Sequence, residues 1–404
     1  MVKILIWGTG KYVNNVFDSI ELDKCKLLGL IDNNIDKQGS RWKEQYMIYS
    51  PQQAVTMGAD YYIISATVGK ESILKQAEVL GIDSEKMILF WEQDVGKFDF
   101  INKYKKENHI LKINIDKLQL RLKNAPYEYG PETIKIESAQ ELLKKIYIEK
   151  CSLCRFGDGE FDIILNQERS WFQKYNEKMA ETLKNILQSD DERIIIAIAN
   201  NYGNLDVYTE NAADSIRKYM TPQKRKQHMD LLNESRVYYD AYVSRPYIMY
   251  KNKNENAEKI FNLYKKIFKD RNIIMVEGKH TKTGARNDLF QLAKSVRRIL
   301  CPDMNAYDSY EKIVHVVKQH VEKNDLVLIS LGATATILAY DLAICGIQAI
   351  DFGQLDNEYE WYVMQASDRT VIEGKSVSEL SWYKIPQIEM KDDEYNKQIV
   401  ATVY

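Results

Sequence analysis

Apolar residues along this chain gather in short unbroken runs separated by longer amphipathic stretches. Lys3-Ile4-Leu5-Ile6-Trp7 reads as a buried strand, and Lys26-Leu27-Leu28-Gly29-Leu30-Ile31-Asp32, Ala59 to Ala66 and Lys86 to Phe90 read as three more. A helical stretch from the first run to about Ile20 makes the opening a βαβ unit. Residues 1–96 are therefore expected to form a small Rossmann-like α/β domain. Residues 97–130, rich in Lys, Asn and Leu, read as a helical connector broken by Asn124-Ala125-Pro126-Tyr127 and Gly130-Pro131. From 131 to 404 the alternation resumes. Glu137 to Lys150 is amphipathic, and Ser152 to Phe156, Arg193 to Ala199, Asn272 to Glu277, Asp325 to Ser330 and Ile347 to Phe352 are candidate strands. The predicted class is α/β, with a second parallel-rich sheet in the larger domain.

Composition narrows the partners. Formal charge is −2 over 404 residues, which gives no basic footprint for nucleic acid. No run approaches the ~20 apolar residues of a membrane span, and the N-terminus lacks a secretion signal. Five cysteines, an odd number without framework spacing, fit a reducing cytoplasm. Oligomeric state is left open, with a homo-oligomer allowed.

Ligands of parallel α/β sheets gather beyond the carboxyl ends of strands, and polar, glycine-bearing segments follow three of the predicted strands. The first is Arg155-Phe156-Gly157-Asp158-Gly159-Glu160. Two carboxylates one residue apart suit a hard cation shared with phosphates, provided that the segment is extended and both project to one side. The second runs from Glu277-Gly278 to Asn287-Asp288-Leu289-Phe290, where Lys282 and neighbouring hydroxyls suggest an anion cradle at a helix starting near Asn287. The third, Leu331-Gly332-Ala333-Thr334-Ala335-Thr336, opens a helix whose amides and threonine hydroxyls suit a diphosphate. Beyond these, Arg245 beside Pro246 can clamp a phosphate, and Glu358-Tyr359-Glu360-Trp361 interleaves acids with rings as a sugar pocket does. In the first domain Gly8-Thr9-Gly10 with Asp32 matches part of a dinucleotide fingerprint, but Val13 replaces its third glycine.

Taken in order, the Asp158/Glu160 segment, Ser244-Arg245-Pro246-Tyr247, Glu277-Gly278 with Asn287-Asp288, Leu331 to Thr336 with Ala339-Tyr340-Asp341-Leu342, and Glu358 to Trp361 resemble the GT-D type glycosyltransferases over about residues 131–367. That resemblance implies a Mn²⁺ or Mg²⁺ ion on Asp158 and Glu160. It also implies a nucleotide-diphosphate sugar donor, expected to be a UDP-sugar, and a glycan acceptor in surface polysaccharide or glycoprotein assembly. Arg155, Gly157, Arg245, Lys282, Asn287, Asp288, Thr334 and Thr336 are the expected donor contacts. Glu360, then Glu358, then Glu277 are the expected proton acceptors. Gln354, Ala333 and Lys282 stand where the family pattern has His, Pro and Arg. The alternatives are a NAD(P)-dependent or other nucleotide-sugar-modifying enzyme using Gly8, Gly10 and Asp32, or a non-catalytic glycan-assembly scaffold.

Overall fold

The structure is a computed structural model that describes all residues except 68, 132–133, 168–172, 378–379 and 381–391. The chain separates into two compact units. One holds Met1–Gln119 and Ser367–Val371; the other holds Leu120–Ala366, Ile372–Val377 and the described C-terminal residues 392–404.

The first unit is built on a sheet of β1 (Val2–Trp7), β2 (Cys25–Ile31), β3 (Arg41–Trp42), β4 (Tyr46–Tyr49), β5 (Tyr61–Ile64) and β6 (Met87–Leu89), in the order β3-β4-β2-β1-β5-β6. Its pairings are parallel except for the short β3–β4 hairpin. Alternation along β1 explains its continuous apolar run. Ile4 and Ile6 enter one core with Val16 and Phe90, while Leu5 and Trp7 enter the other with Ile31 and Ala54.

The second unit carries β7 (Lys135–Glu137), β8 (Ser152–Phe156), β9 (Ile194–Ile198), β10 (Val237–Asp240), β11 (Asn272–Gly278), β12 (Ser295–Cys301), β13 (Leu326–Ser330), β14 (Gln348–Asp351) and β15 (Ile399–Thr402). They form one parallel sheet in the order β15-β12-β11-β13-β14-β8-β9-β10-β7. Every residue of β9 and β13 is buried, as expected of strands covered by helices on both faces. From β8 the chain moves to β9 and β10 on one side, whereas from β14 it leaves for β15 at the opposite edge. Strands β8 and β14 are neighbours whose connections diverge, the place where parallel α/β sheets open a ligand crevice beyond their carboxyl ends.

One feature departs from the expectation. The helix Lys103–Glu128 does not break at Asn124–Tyr127 but runs through Pro126. Tertiary contacts hold its last turn: Arg217 forks onto the Glu128 carboxylate at 2.7 and 2.8 Å, and the Arg225 guanidinium lies 4.7 Å from the Tyr127 ring centre. Those contacts outweigh the single ladder bond that proline removes. Among the described residues no helix is long and apolar enough to cross a membrane.

Candidate active site

At the end of β8 the acidic segment is helical rather than extended. Gly157 is the N-cap, and Asp158 and Glu160 are the first and third residues of the helix Asp158–Ile164. At 3.6 residues per turn they diverge by about 200°, so the expected shared side does not exist. The cause is local: the Glu160 carboxylate turns back to accept the Gly157 N–H at 2.7 Å, leaving Asp158 exposed. Burial, with the negative Asp351 nearby, raises the Glu160 carboxyl to about 7 against the pull of the Gly157 N–H and Arg155.

Arg155, expected to meet phosphate, is the strut of the crevice. Its Nε and Nη2 donate to the carbonyl and Oδ1 of Asp351 at 2.9 and 2.6 Å, and its Nη1 donates to Ser244 Oγ at 2.7 Å. The Thr336 hydroxyl lies 3.0 Å from the Arg155 carbonyl and 3.1 Å from Asp351 Oδ2. Gly353 has φ +57°, and a methyl group there would stand 2.2 Å from the Arg155 guanidinium. Glycine is required by both space and backbone. Thr334 and Thr336 are completely buried in the first turn of the helix Ala333–Ile344, so their hydroxyls do not line the surface.

The loop between β11 and β12 is also different from the expectation. No helix starts at Asn287; the segment is a chain of turns with Lys282, Gly284 and Arg286 at positive φ. Two of its backbone donors are already met by the protein's own acids. Glu277 accepts the Thr283 N–H at 2.7 Å, and Asp356 accepts the Gly284 N–H at 2.9 Å. Glu277, fully buried, further binds Arg298 at 2.7 Å and the Tyr395 hydroxyl at 2.8 Å. The Lys282 ammonium sits 4.4 Å from the Tyr395 ring centre.

The Glu358 to Trp361 segment is likewise part of a helix, Leu355–Val363, and its two acids face apart. Glu358 is fully buried and accepts the N–H groups of Tyr247 and Ile248 at 2.8 and 3.0 Å, fixing the turn that presents half-buried Arg245. Glu360 keeps some exposure. It accepts from Asn287 Nδ2 at 2.7 Å and pairs with Lys375 at 2.5 Å. Asn287 and Lys375 also reach Asp356, at 2.8 and 2.7 Å, closing a four-residue network. Exposed Asp288 pairs with Lys265 at 2.8 Å and with the Tyr359 hydroxyl. Sequence reasoning gave no role of their own to Asp351, Ser244 or Lys375. Asp351 ends a strand two residues before a glycine, which is a usable signal; Lys375 has no local signature.

Among the described residues no three His, Cys, Asp or Glu side chains gather to cage a metal. Asp158 is the exposed acid of the pair and accepts the Gly159 N–H at 3.0 Å, so an ion here would need further oxygens from substrate phosphates, as Mg²⁺ commonly does. In the first unit, Asp32 accepts from the Thr9 N–H at 2.9 Å and from its hydroxyl, with Lys37 3.4 Å away. The helix after Gly8 and Gly10 begins only at Val13 and has six residues.

Residues 153–380 match the glycosyltransferase GT-D fold family. This chain belongs to that family. Residues 1–88 match C2185-like N-terminal domains. Among curated relatives, a probable glycosyl transferase Gly of Streptococcus gordonii is 33% identical over 67% of this chain and 39% of its own length. Glycosyltransferase GlyD of Streptococcus pneumoniae serotype 4 is 32% identical over 67% of this chain and 33% of its length. The chain thus spans between a third and two fifths of these relatives. A solved structure of the highly conserved domain of unknown function 1792, described as having a distinct glycosyltransferase fold, aligns with TM-score 0.63 at 33% identity, covering 68% of this chain and 97% of its own. A new glycosyltransferase of the same domain type from Streptococcus sanguinis aligns with TM-score 0.63 at 31% identity, over 67% of this chain and 100% of its own.

Proposed function

We propose that this chain transfers a sugar from a UDP-linked donor to a hydroxyl of a glycan acceptor in surface polysaccharide or glycoprotein assembly, in the cytoplasm, with Mn²⁺ or Mg²⁺. The observation that carries the reading is the exposed Asp158 carboxylate at the mouth of the crevice where β8 and β14 diverge, inside the segment that matches the GT-D family. When bound, the cation would neutralise charge on the departing diphosphate. The residues of the chain do the rest. Asp158 would hold the metal–diphosphate end of the donor, and Arg245 and Lys282 would add cationic charge near it. The strut of Arg155, Asp351, Ser244 and Thr336 keeps the β8 and β14 ends in register.

In the transfer, the acceptor oxygen bonds to the anomeric carbon as the bond from that carbon to the diphosphate oxygen breaks, and the hydroxyl proton goes to a carboxylate. Glu360 is assigned this role. Its side chain is 13% exposed, whereas Glu358 and Glu277 are fully buried and committed to backbone N–H groups. Asn287 and Lys375 hold Glu360 in place.

A panel of nucleotide sugars tested for donor hydrolysis with Mn²⁺, with and without EDTA, examines this reading. Hydrolysis of a UDP-sugar that EDTA abolishes and Mn²⁺ restores is the expected result. Full activity in chelator removes the metal from the account. Stabilisation by NAD(P) alone, where ligand at 100 Kd adds about 2.7 kcal/mol, would replace it with a nucleotide-modifying activity.

A further inference from the structure

The helix Lys103–Glu128 carries an exposed apolar stripe that the proposed chemistry does not use. Tyr104, Leu111, Ile115, Leu118 and Leu122 are all more than half exposed on it. Starting at Tyr104 and including Asn108, the stripe advances by steps of four, three, four, three and four residues. That is a 3.5-residue period, the seam of a left-handed coiled coil, whereas a surface helix packed only on its own domain shows period 3.6. The opposite side bears the buried Lys106, Asn124 and Glu128, so the stripe is the outward side of a helix already anchored elsewhere.

The heptad assignment places Asn108, Ile115 and Leu122 at a and Tyr104, Leu111 and Leu118 at d. A β-branched residue at a with leucine at d favours two parallel strands, and a single asparagine at a fixes register. Charges agree. In a parallel pair, position g of one helix faces position e of the next heptad in its partner, which sets Glu107 against Lys112 of the second copy. An antiparallel pair would instead bring the e positions together, and these include Lys105 and Lys112. We propose that this helix pairs in parallel with the same helix of a second copy of the chain, forming a homodimer through the seam from Tyr104 to Leu122.

Sedimentation of the full chain at tens of micromolar tests this. The expected species has about twice the 47.2 kDa chain mass, and Leu111→Glu with Leu118→Glu should return it to the single-chain mass without loss of folding, since both positions are exposed. Glu107→Lys and Lys112→Glu should each weaken the dimer, and the two together should restore it. For orientation, Leu111→Cys and Leu118→Cys are made separately in a Cys345→Ser background, which removes the exposed native thiol. Both should cross-link to themselves on oxidation in a parallel pair, whereas an antiparallel pair allows at most one. A monomeric wild type, a dimer that survives both Leu→Glu changes, or cross-linking at only one position overturns the proposal.

Discussion

Glu277→Gln separates a structural acid from a chemical one. Glu277 lies fully buried at the end of β11, and its two oxygens receive Arg298 at 2.7 Å, the Tyr395 hydroxyl at 2.8 Å and the Thr283 N–H at 2.7 Å. Neutralising it leaves the Arg298 guanidinium, itself 2% exposed, without a countercharge. Breaking a buried pair from one side typically costs about 3–5 kcal/mol. For a unit of this size each kcal/mol moves the midpoint by about 2–4 °C, so calorimetry should show Tm falling by roughly 6–20 °C. Glu277→Met combined with Arg298→Met removes both charges and should be more stable than Glu277→Gln alone, because the orphaned charge is gone. Well below its midpoint, Glu277→Gln should keep donor hydrolysis within a few-fold. A variant that melts like the wild type yet loses kcat by ~100-fold would refute this reasoning and make Glu277 the proton acceptor.

Other outcomes follow from the same geometry. Glu360→Gln should lower transfer kcat by at least ~100-fold while the donor's KM and Tm change little; near-wild-type kcat would remove Glu360 from the chemistry. Gly353→Ala, at positive φ and against the Arg155 guanidinium, should cost at least ~1–3 kcal/mol in urea unfolding, and an unchanged midpoint would deny that Arg155 is fixed there. Stability should fall between pH 6.5 and 8. Burial raises Glu160 and Asp240 to about 7 from ordinary values of 4.5 and 3.8, so their stabilisation is whole below those ordinary values and lost as pH rises through 7. Burial lowers His228 to about 3 from 6.5, with Lys224 and Arg225 adding to it, so its stabilisation is whole above 6.5 and lost only as pH falls toward 3. Urea midpoints that rise steadily from pH 6.5 to 8 would contradict this, and Glu160→Gln should flatten the decline.

The long buried strands were legible because Lys3–Trp7, Arg193–Ala199 and Asp325–Ser330 are near-continuous apolar runs, as strands of a doubly covered parallel sheet read, whereas the sheet order and strands such as Val237–Asp240 and Ser295–Cys301 were not. The acidic motifs were placed at the right strand ends but in the wrong local conformation. Asp158-Gly159-Glu160 contains no apolar residue to show a helical period, and its helix start rests on Gly157, which has no side chain to announce a cap. Glu358-Tyr359-Glu360-Trp361 alternates like a strand for four residues, yet it lies in a nine-residue helix where Glu358, Tyr359 and Trp361 are all buried. Which partners each acid takes was not legible at all. Glu277 is held by Arg298 and Tyr395, Glu358 by Tyr247, and Glu360 by Asn287 and Lys375; except for Lys375, these partners stand 21 to 118 residues away, so no short-range pattern could report them. In the first unit, part of a fingerprint was present, but Asp32 is already engaged by Thr9 and Lys37.

The most direct measurement of the central claim is calorimetric titration of UDP into the full chain with Mn²⁺, for wild type and Asp158→Asn side by side. The account predicts metal-dependent binding to the wild type and at least ~10-fold weaker binding to Asp158→Asn, the scale of one lost charged contact of about 1.4 kcal/mol or more, with the variant's Tm unchanged because Asp158 is exposed. Equal UDP affinity in the two proteins, or binding of equal strength in EDTA, would contradict it.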